Sequence, residues 1–193
     1  ILLALHEVGG KEPSLDVLKT CIGPPLTESF EVRLGLSFEQ SKEAMKVFRK
    51  EYDSKGMFEC ELFDGILECI CELKTLGYRI YLASSKNESA CRAILEHFHL
   101  DEYFDDIIGS TDDAKIETKT QVLEELFRLY PNLNRSESIL VGDTYFDALG
   151  AKEAGIDCLG VSFGFGTKES LLEYGAVGVV DSAREVKEYF ETI

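Results

Sequence analysis

The pattern of apolar and polar positions changes character near residue 60. Before this point, apolar residues recur at helical spacing in four segments, and no strand pattern is found: residues 1–8, 14–21, 27–34 and 37–55. Gly23-Pro24-Pro25 interrupts the helical pattern, because glycine and proline end regular structure. Ser37 and Gln40 form a capping box before the longest segment. The pattern therefore predicts that the first 60 residues are helical.

After residue 60, short apolar runs alternate with amphipathic segments. Strands are predicted at 79–83, within 103–109, and at 139–141, 158–161 and 177–180. Helices are predicted at 64–76, 88–98, 119–130, 144–154, 168–174 and 183–190. This alternation predicts an α/β fold: a Rossmann-like parallel sheet with helices on both faces, plus a small α-helical domain. Ligands in such sheets bind beyond the carboxyl ends of the strands.

The most informative strand end is Ile139-Leu-Val-Gly-Asp-Thr-Tyr-Phe-Asp147. Gly142 lets the chain leave the strand sharply, and Asp143 follows it. Asp143 and Asp147 lie one helical turn apart, so both carboxylates can face one point. Oxygen ligands at a strand tip suit Mg²⁺ and an anionic substrate. The alternative is that Asp143 only caps the following helix.

Two further strand ends carry polar side chains. Ser84 follows an apolar strand and can donate a hydrogen bond to a phosphate oxygen, with Ser85 and Lys86 as candidate substrate contacts. The alternative is a helix N-cap formed by Ser85 or Asn87. Lys119 opens a helix, where a cation opposes the helix dipole, so an anion is a reason for its presence.

An exposed lysine without a role is the alternative for Lys119, and Lys115 in the preceding loop could take the same role. The three strand ends together supply a hydroxyl, a lysine and a carboxylate pair.

Composition limits the partners. The net charge is −16 with a pI of about 4.6, which argues against nucleic acid or an anionic membrane as partner. A phosphate site in such a chain must be made locally positive. The six cysteines form no C-x-x-C pair and are expected to be reduced thiols. No membrane span or signal peptide is found, so we expect a cytoplasmic protein that is a monomer or weak homodimer.

The ordered motifs resemble the haloacid dehalogenase superfamily, in its phosphoglycolate phosphatase-like branch with a helical cap. Ser84 matches the family's second motif, Lys119 its third, and Gly142-Asp143 with Asp147 its fourth, G-D-x-x-x-D. Two shorter segments are also similar to features of this branch: Gly164-Phe165-Gly166 and Gly23-Pro24-Pro25-Leu26. The resemblance implies an α/β core of residues 1–8 and 61–193, and a cap of residues 9–60 that closes over the site.

One family motif is not found. The first motif, D-x-D-x-T in an apolar strand, supplies the family's nucleophile and its general acid and base. No aspartate here fills that pattern, since Asp64 precedes a helix and Asp101, Asp105 and Asp106 lie in a loop or at a strand's start. In the family this strand lies between those matching residues 79–83 and 139–141. Without it both would show an unpaired edge, so we expect about twenty further residues before Ile1.

The resemblance implies a Mg²⁺-dependent phosphatase of small phosphorylated metabolites that acts through a phosphoaspartyl intermediate. Ser84 and Lys119 would stabilise the phosphoryl group, and Asp143 and Asp147 would hold the metal. A sugar phosphomutase on the same scaffold and a catalytically dead binding protein stay open as alternatives. A dehalogenase is disfavoured because it needs no metal. The substrate is not indicated by the sequence.

Overall fold

A computed structural model describes residues 1–113 and 115–193. The chain divides into two compact units, Ile1–Cys60 and Glu61–Ile193. Across the described residues, no helix combines the length and apolar character that crossing a bilayer requires.

Unit 1, Ile1–Cys60, is helical as predicted. Its helices are α1 (Leu2–Glu7), α2 (Leu15–Lys19), α3 (Leu26–Glu28, continuing as a π-helix over Ser29–Arg33) and α4 (Phe38–Ser54), followed by a 3₁₀ turn at Gly56–Phe58. The predicted capping box at α4 is confirmed. Ser37 Oγ accepts a hydrogen bond from the Gln40 amide at 3.3 Å, and Gln40 Oε1 accepts one from the Ser37 amide at 3.2 Å.

The segment 1–8 packs within unit 1, whereas the sequence-based division placed it with the α/β core. Ala4 and Leu5 are buried to 1% and 0% exposure in a cluster with Phe30, Leu36 and Ala44. Burial of apolar side chains decides this packing, because a short helix gains its stability from the face it buries. The local helix was predictable, but the surface against which it packs was not.

Unit 2, Glu61–Ile193, alternates strands and helices as the sequence predicts. The strands are β1 (Tyr81–Asn87), β2 (Asp106–Ser110), β3 (Ile139–Gly142), β4 (Asp157–Val161) and β5 (Gly178–Val180). The helices are α5 (Ile66–Thr75), α6 (Glu88–His97), α7 (Lys119–Leu129), α8 (Tyr145–Glu153), α9 (Lys168–Tyr174) and α10 (Ala183–Phe190). All strand pairs are parallel, which confirms the predicted α/β class.

The strands form two hydrogen-bonded sheets. β1 pairs with β2, with Leu82 opposite Ile107, and the register shifts after Ala83. β3, β4 and β5 form the other sheet in that order. Among the described residues, β1 pairs only with β2 and β3 pairs only with β4, so each of these strands has an unpaired edge.

The strands with an unpaired edge are also the more exposed ones of each pair. Ile107 and Ile108 of β2 and Leu159 of β4 are at most 5% exposed, whereas Leu82 of β1 is half-buried and Val141 of β3 is 39% exposed. Strands of parallel sheets are normally covered on both faces. The apolar strands β1 and β3 are therefore more exposed than their paired neighbours β2 and β4.

We expect the 193-residue chain to self-associate through the unpaired edges of β1 and β3 and to melt with low cooperativity. Each buried backbone group left unpaired costs about 1–3 kcal/mol, against a typical net stability of about 5–15 kcal/mol. Light scattering after size exclusion and differential scanning calorimetry measure both properties.

Val141→Lys should reduce association because a lysine blocks pairing at an exposed strand. Val32→Lys, at a 75% exposed position of unit 1, is the matched control. A monomer with one sharp transition contradicts this expectation.

Candidate active site

Lys119 contacts the segments of two other predicted strand ends, through Ala83 and Asp147. It is the first residue of α7, and its ammonium donates a hydrogen bond to the carbonyl of Ala83 in β1 at 2.6 Å. The same Nζ lies 3.0 Å from Oδ1 of Asp147, in the first turn of α8. The Lys119 side chain is 13% exposed. Lys119 opens α7, where the helix dipole disfavours a cation. The Asp147 carboxylate and the Ala83 carbonyl, which both contact its ammonium, account for its presence there.

Lys115 does not share this position. Its side chain is 81% exposed and pairs with Asp113 at 2.6 Å, beyond the end of β2. Of the two lysines that the sequence left open, Lys119 is the one that contacts the strand ends.

Asp147 has protein partners at both carboxylate oxygens. Oδ1 faces Lys119, and Oδ2 accepts hydrogen bonds from the Thr144 amide at 3.0 Å and the Thr144 hydroxyl at 2.8 Å. Thr144 and Asp147 therefore form the capping box of α8. A side chain at Gly142 would overlap that of Asp147, so only glycine fits at the end of β3. The sequence groups Asp147 with Asp143 as metal ligands, and this role of Asp147 stays a prediction; its oxygens contact Lys119 and Thr144.

The ion pair of Lys119 and Asp147 keeps Asp147 charged. Burial alone raises the pKa of the Asp147 carboxyl, because it disfavours the charged form. The Lys119 ammonium and the two hydrogen bonds from Thr144 act in the opposite direction and outweigh burial, so the pKa of Asp147 lies below the usual value of an aspartate. Asp147 is therefore ionised at neutral pH although it is only 7% exposed.

Asp143 is held by the main chain of a loop 22 residues further along. Its Oδ2 accepts a hydrogen bond from the Phe165 amide at 2.8 Å, and its backbone carbonyl accepts one from the Gly166 amide at 2.9 Å. No group in residues 1–113 and 115–193 donates to Oδ1 of Asp143. Thr144, not Asp143, is the N-cap of α8, so capping does not account for Asp143.

The oxygen of Asp143 fits a magnesium ion. Mg²⁺ is usually held by one or two carboxylates together with substrate phosphate and water, not by a complete protein cage. The described residues contain no cluster of three or more His, Cys, Asp or Glu side chains that could enclose a metal. Asp143 Oδ1 supplies one anionic oxygen at the end of β3, whereas both oxygens of Asp147 already have protein partners.

The predicted hydroxyl, Ser84, lies within β1, where the register with β2 shifts after Ala83. Ser84 Oγ accepts a hydrogen bond from the Lys86 amide at 3.1 Å. The cap of α6 is Asn87, whose Oδ1 accepts from the Ser89 amide at 3.0 Å, so Ser85 is not needed for capping. Ser85 is half-buried and Lys86 is exposed. The structure thus separates the capping residue from the three candidates for phosphate and substrate contact.

The neighbouring thiols are unsuited to act as nucleophiles. Burial, and secondarily the negative charge of Asp147, raise the pKa of Cys158 to about 12. Burial also raises the pKa of Cys91, which lies near Ser84. Since the thiolate is the reactive form, both cysteines are inert at neutral pH. All six cysteines are free thiols, as the sequence analysis expects.

The charge on Asp147 predicts an acid-sensitive contribution to stability. A carboxyl whose pKa is lowered on folding stabilises the folded state above its unfolded pKa, and this contribution is lost as pH falls through the folded value. We expect Asp147→Asn to lower the free energy of unfolding at pH 7 by about 3 kcal/mol, because it leaves Lys119 without its partner. The loss should shrink below pH 4.

Urea titrations of the whole protein between pH 2 and pH 7 measure this difference. Asp157→Asn, at an exposed position at the start of β4, is the control that makes the same chemical change. An Asp147→Asn penalty that is independent of pH would show that the carboxylate charge contributes nothing.

Known proteins resemble this chain over almost its whole length. The haloacid dehalogenase-like hydrolase family profile matches residues 2–161. A 5'-nucleotidase of Pseudomonas aeruginosa is 33% identical over 171 residues, which cover 89% of this chain and 77% of that protein. The tyrosine-protein kinase PtkA of Mycobacterium tuberculosis is 33% identical over 191 residues, which cover 98% of this chain and 64% of the kinase.

The fold agrees with these sequence matches. The crystal structure of a predicted phosphatase from Clostridium acetobutylicum superposes with a TM-score of 0.92 at 32% identity, covering 99% of this chain and 88% of that one. The family resemblance drawn from Ser84, Lys119 and Asp143 is confirmed. This chain belongs to the haloacid dehalogenase-like hydrolase family.

Proposed function

We propose that this protein is a Mg²⁺-dependent phosphatase that hydrolyses phosphate monoesters of small metabolites through a phosphoaspartyl intermediate. The observation that carries the proposal is the Lys119 ammonium, held between the Ala83 carbonyl of β1 and Asp147. A partly buried, oriented cation is what a phosphoryl group needs in a chain whose net charge is −16. We further propose that the protein acts in the cytoplasm, as a monomer or weak homodimer.

Phosphoryl transfer requires positioned charge more than covalent assistance from the protein. Its transition state spreads negative charge over three equatorial oxygens. Lys119 offers a fixed positive charge to these oxygens, and Ser84 offers a hydroxyl donor at the neighbouring strand end. Asp147 is a positioning residue in this scheme, because it sets the direction of the Lys119 ammonium. Ser85 and Lys86 are the proposed contacts for the rest of the substrate.

Asp143 is the proposed metal ligand, through Oδ1. A bound Mg²⁺ supplies positive charge that neutralises the phosphate and the developing negative charge. Asp147 would influence the metal through the orientation of neighbouring groups, as outer residues of metal sites do.

The proposed nucleophile is an aspartate of the kind that the family's first motif supplies. Its carboxylate oxygen forms a bond to phosphorus while the bond to the leaving alkoxide breaks, and the alkoxide takes a proton. Water then attacks the phosphoaspartyl group, which releases phosphate and restores the carboxylate. A general acid and base must move both protons.

Phosphate release from a substrate panel tests the function. The whole protein is incubated with nucleoside 5'-monophosphates, phosphoglycolate, pyrophosphate and an aryl phosphate, with Mg²⁺ or with EDTA. The nucleotides are included because a 33% identical relative is a 5'-nucleotidase. We expect release of inorganic phosphate that stops in EDTA.

Three outcomes would contradict the proposal. Isomerisation of a sugar phosphate without phosphate release would indicate a mutase. Phosphate transfer from ATP to a tyrosine would indicate a kinase. Substrate binding without turnover would indicate a binding protein.

A further inference from the structure

We propose that the loop Gly164-Phe165-Gly166 is a positioning element that fixes the Asp143 carboxylate with one oxygen open to a divalent cation. This inference rests on the proposed function and gives the loop a role in the proposed metal site. The loop follows β4 and precedes α9, so it comes from a different part of the chain than β3 and α8.

The loop holds Asp143 at two points. The Phe165 amide donates to Oδ2 of the side chain at 2.8 Å, and the Gly166 amide donates to the backbone carbonyl at 2.9 Å. The first bond sets the rotation of the carboxylate and the second sets the position of the backbone that carries it. Hydrogen bonds from amides to an ionised oxygen are also stronger than those between neutral groups.

Both glycines of the loop are required for space. A Cβ atom at Gly164 would overlap the side chain of Asp143, and one at Gly166 would overlap the Asp143 carbonyl oxygen. Neither glycine has a positive φ, so the backbone conformation itself is open to any residue. The requirement is therefore close approach of the loop to Asp143, not the conformational freedom of glycine.

This contact pattern explains why only one oxygen of Asp143 is available. Oδ2 is turned toward the loop, and Oδ1 has no donor among the described residues. Without the loop, the carboxylate could rotate about its side-chain torsions, and binding a cation would cost the entropy of ordering it. With the loop in place, that order exists before the cation arrives.

The two glycines differ in what they contact, and this difference gives a test by double-mutant cycle. Gly164→Ala clashes with the Asp143 side chain, so the clash should be relieved in an Asp143→Gly background. Gly166→Ala clashes with the backbone carbonyl, which the same background retains. Thermal melting of the whole protein should show coupling between positions 143 and 164, and additive effects between positions 143 and 166. Additive effects at 164 would overturn the proposed contact.

Metal binding tests the functional part. Isothermal titration of Mg²⁺ into the Gly164→Ala and Gly166→Ala proteins should show at least tenfold weaker binding than wild type. Saturating Mg²⁺ should restore much of the turnover, which a purely structural defect would not allow. Gly178→Ala is the matched control, since its Cβ would meet only Leu159 Cδ1 at an ordinary 3.8 Å. Wild-type Mg²⁺ affinity in both loop variants would refute the inference.

Asp143→Asn separates this inference from the proposed function. If Asp143→Asn binds Mg²⁺ as tightly as wild type, the proposed metal site fails. If Asp143→Asn loses the metal while both loop variants keep it, only the positioning role of the loop fails.

Discussion

Asp143→Asn is expected to abolish the Mg²⁺-dependent phosphatase activity of the whole protein while leaving its fold intact. The amide retains an oxygen that can accept the hydrogen bond from Phe165, so the loop contact can persist. The charge that attracts the metal is lost. Removal of one electrostatic element from a catalytic site typically lowers kcat by about 10²–10³-fold. Hydrolysis of an aryl phosphate, with circular dichroism as a measure of folding, provides the comparison.

Asp147→Asn is the companion variant for Asp143→Asn. Because both Asp147 oxygens have protein partners, we expect it to weaken Mg²⁺ affinity less than Asp143→Asn does. Its larger effect should be on stability, through the unpaired Lys119. Unchanged turnover of the aryl phosphate by Asp143→Asn would refute the assignment of Asp143 to the metal.

Lys119→Ala is expected to lower kcat/KM by at least tenfold, which corresponds to about 1.4 kcal/mol of transition-state stabilisation. The ammonium is oriented by Asp147 and by the Ala83 carbonyl, so it needs little reorganisation to meet a phosphoryl oxygen. Removing it also leaves the buried Asp147 charge without a partner. Lys119→Met combined with Asp147→Asn removes both charges and separates the loss of activity from the loss of stability.

Lys115→Ala is the control for Lys119→Ala and should be close to neutral in kcat/KM. The same substitution is made four residues away, at a side chain that is 81% exposed. A large effect at Lys115 with a small one at Lys119 would mean that the third motif has been placed four residues too late.

The fold was predictable from the sequence because its signals are local. The alternation of apolar runs and amphipathic segments after residue 60 depends on neighbouring residues, and so does the capping box of Ser37 and Gln40. The apolar runs before Ser84 and Asp143 are recognisable for the same reason, although β1 extends past Ser84 to Asn87. Parallel pairing then brings the carboxyl ends of the strands to one edge.

What could not be predicted depends on contacts between distant residues. Asp147 lies 28 positions from Lys119. No local pattern in the sequence indicates whether the Asp147 oxygens face a metal or a lysine. The loop amides that bind Asp143 carry no side-chain signal, although two glycines separated by one residue indicate a close approach of the backbone. The packing of segment 1–8 in unit 1 likewise depends on Phe30 and Leu36, which are distant along the chain.

The bond from Lys119 to Ala83 has a consequence for how the site can fail. β1 belongs to one sheet and Asp147 follows a strand of the other, so Lys119 spans two sheets that share no backbone hydrogen bonds in the described residues. Its ammonium is therefore oriented only while Ala83 and Asp147 keep their present distance. Local opening that separates these two residues would lower activity before any helix or strand is lost, because secondary structure depends on other hydrogen bonds.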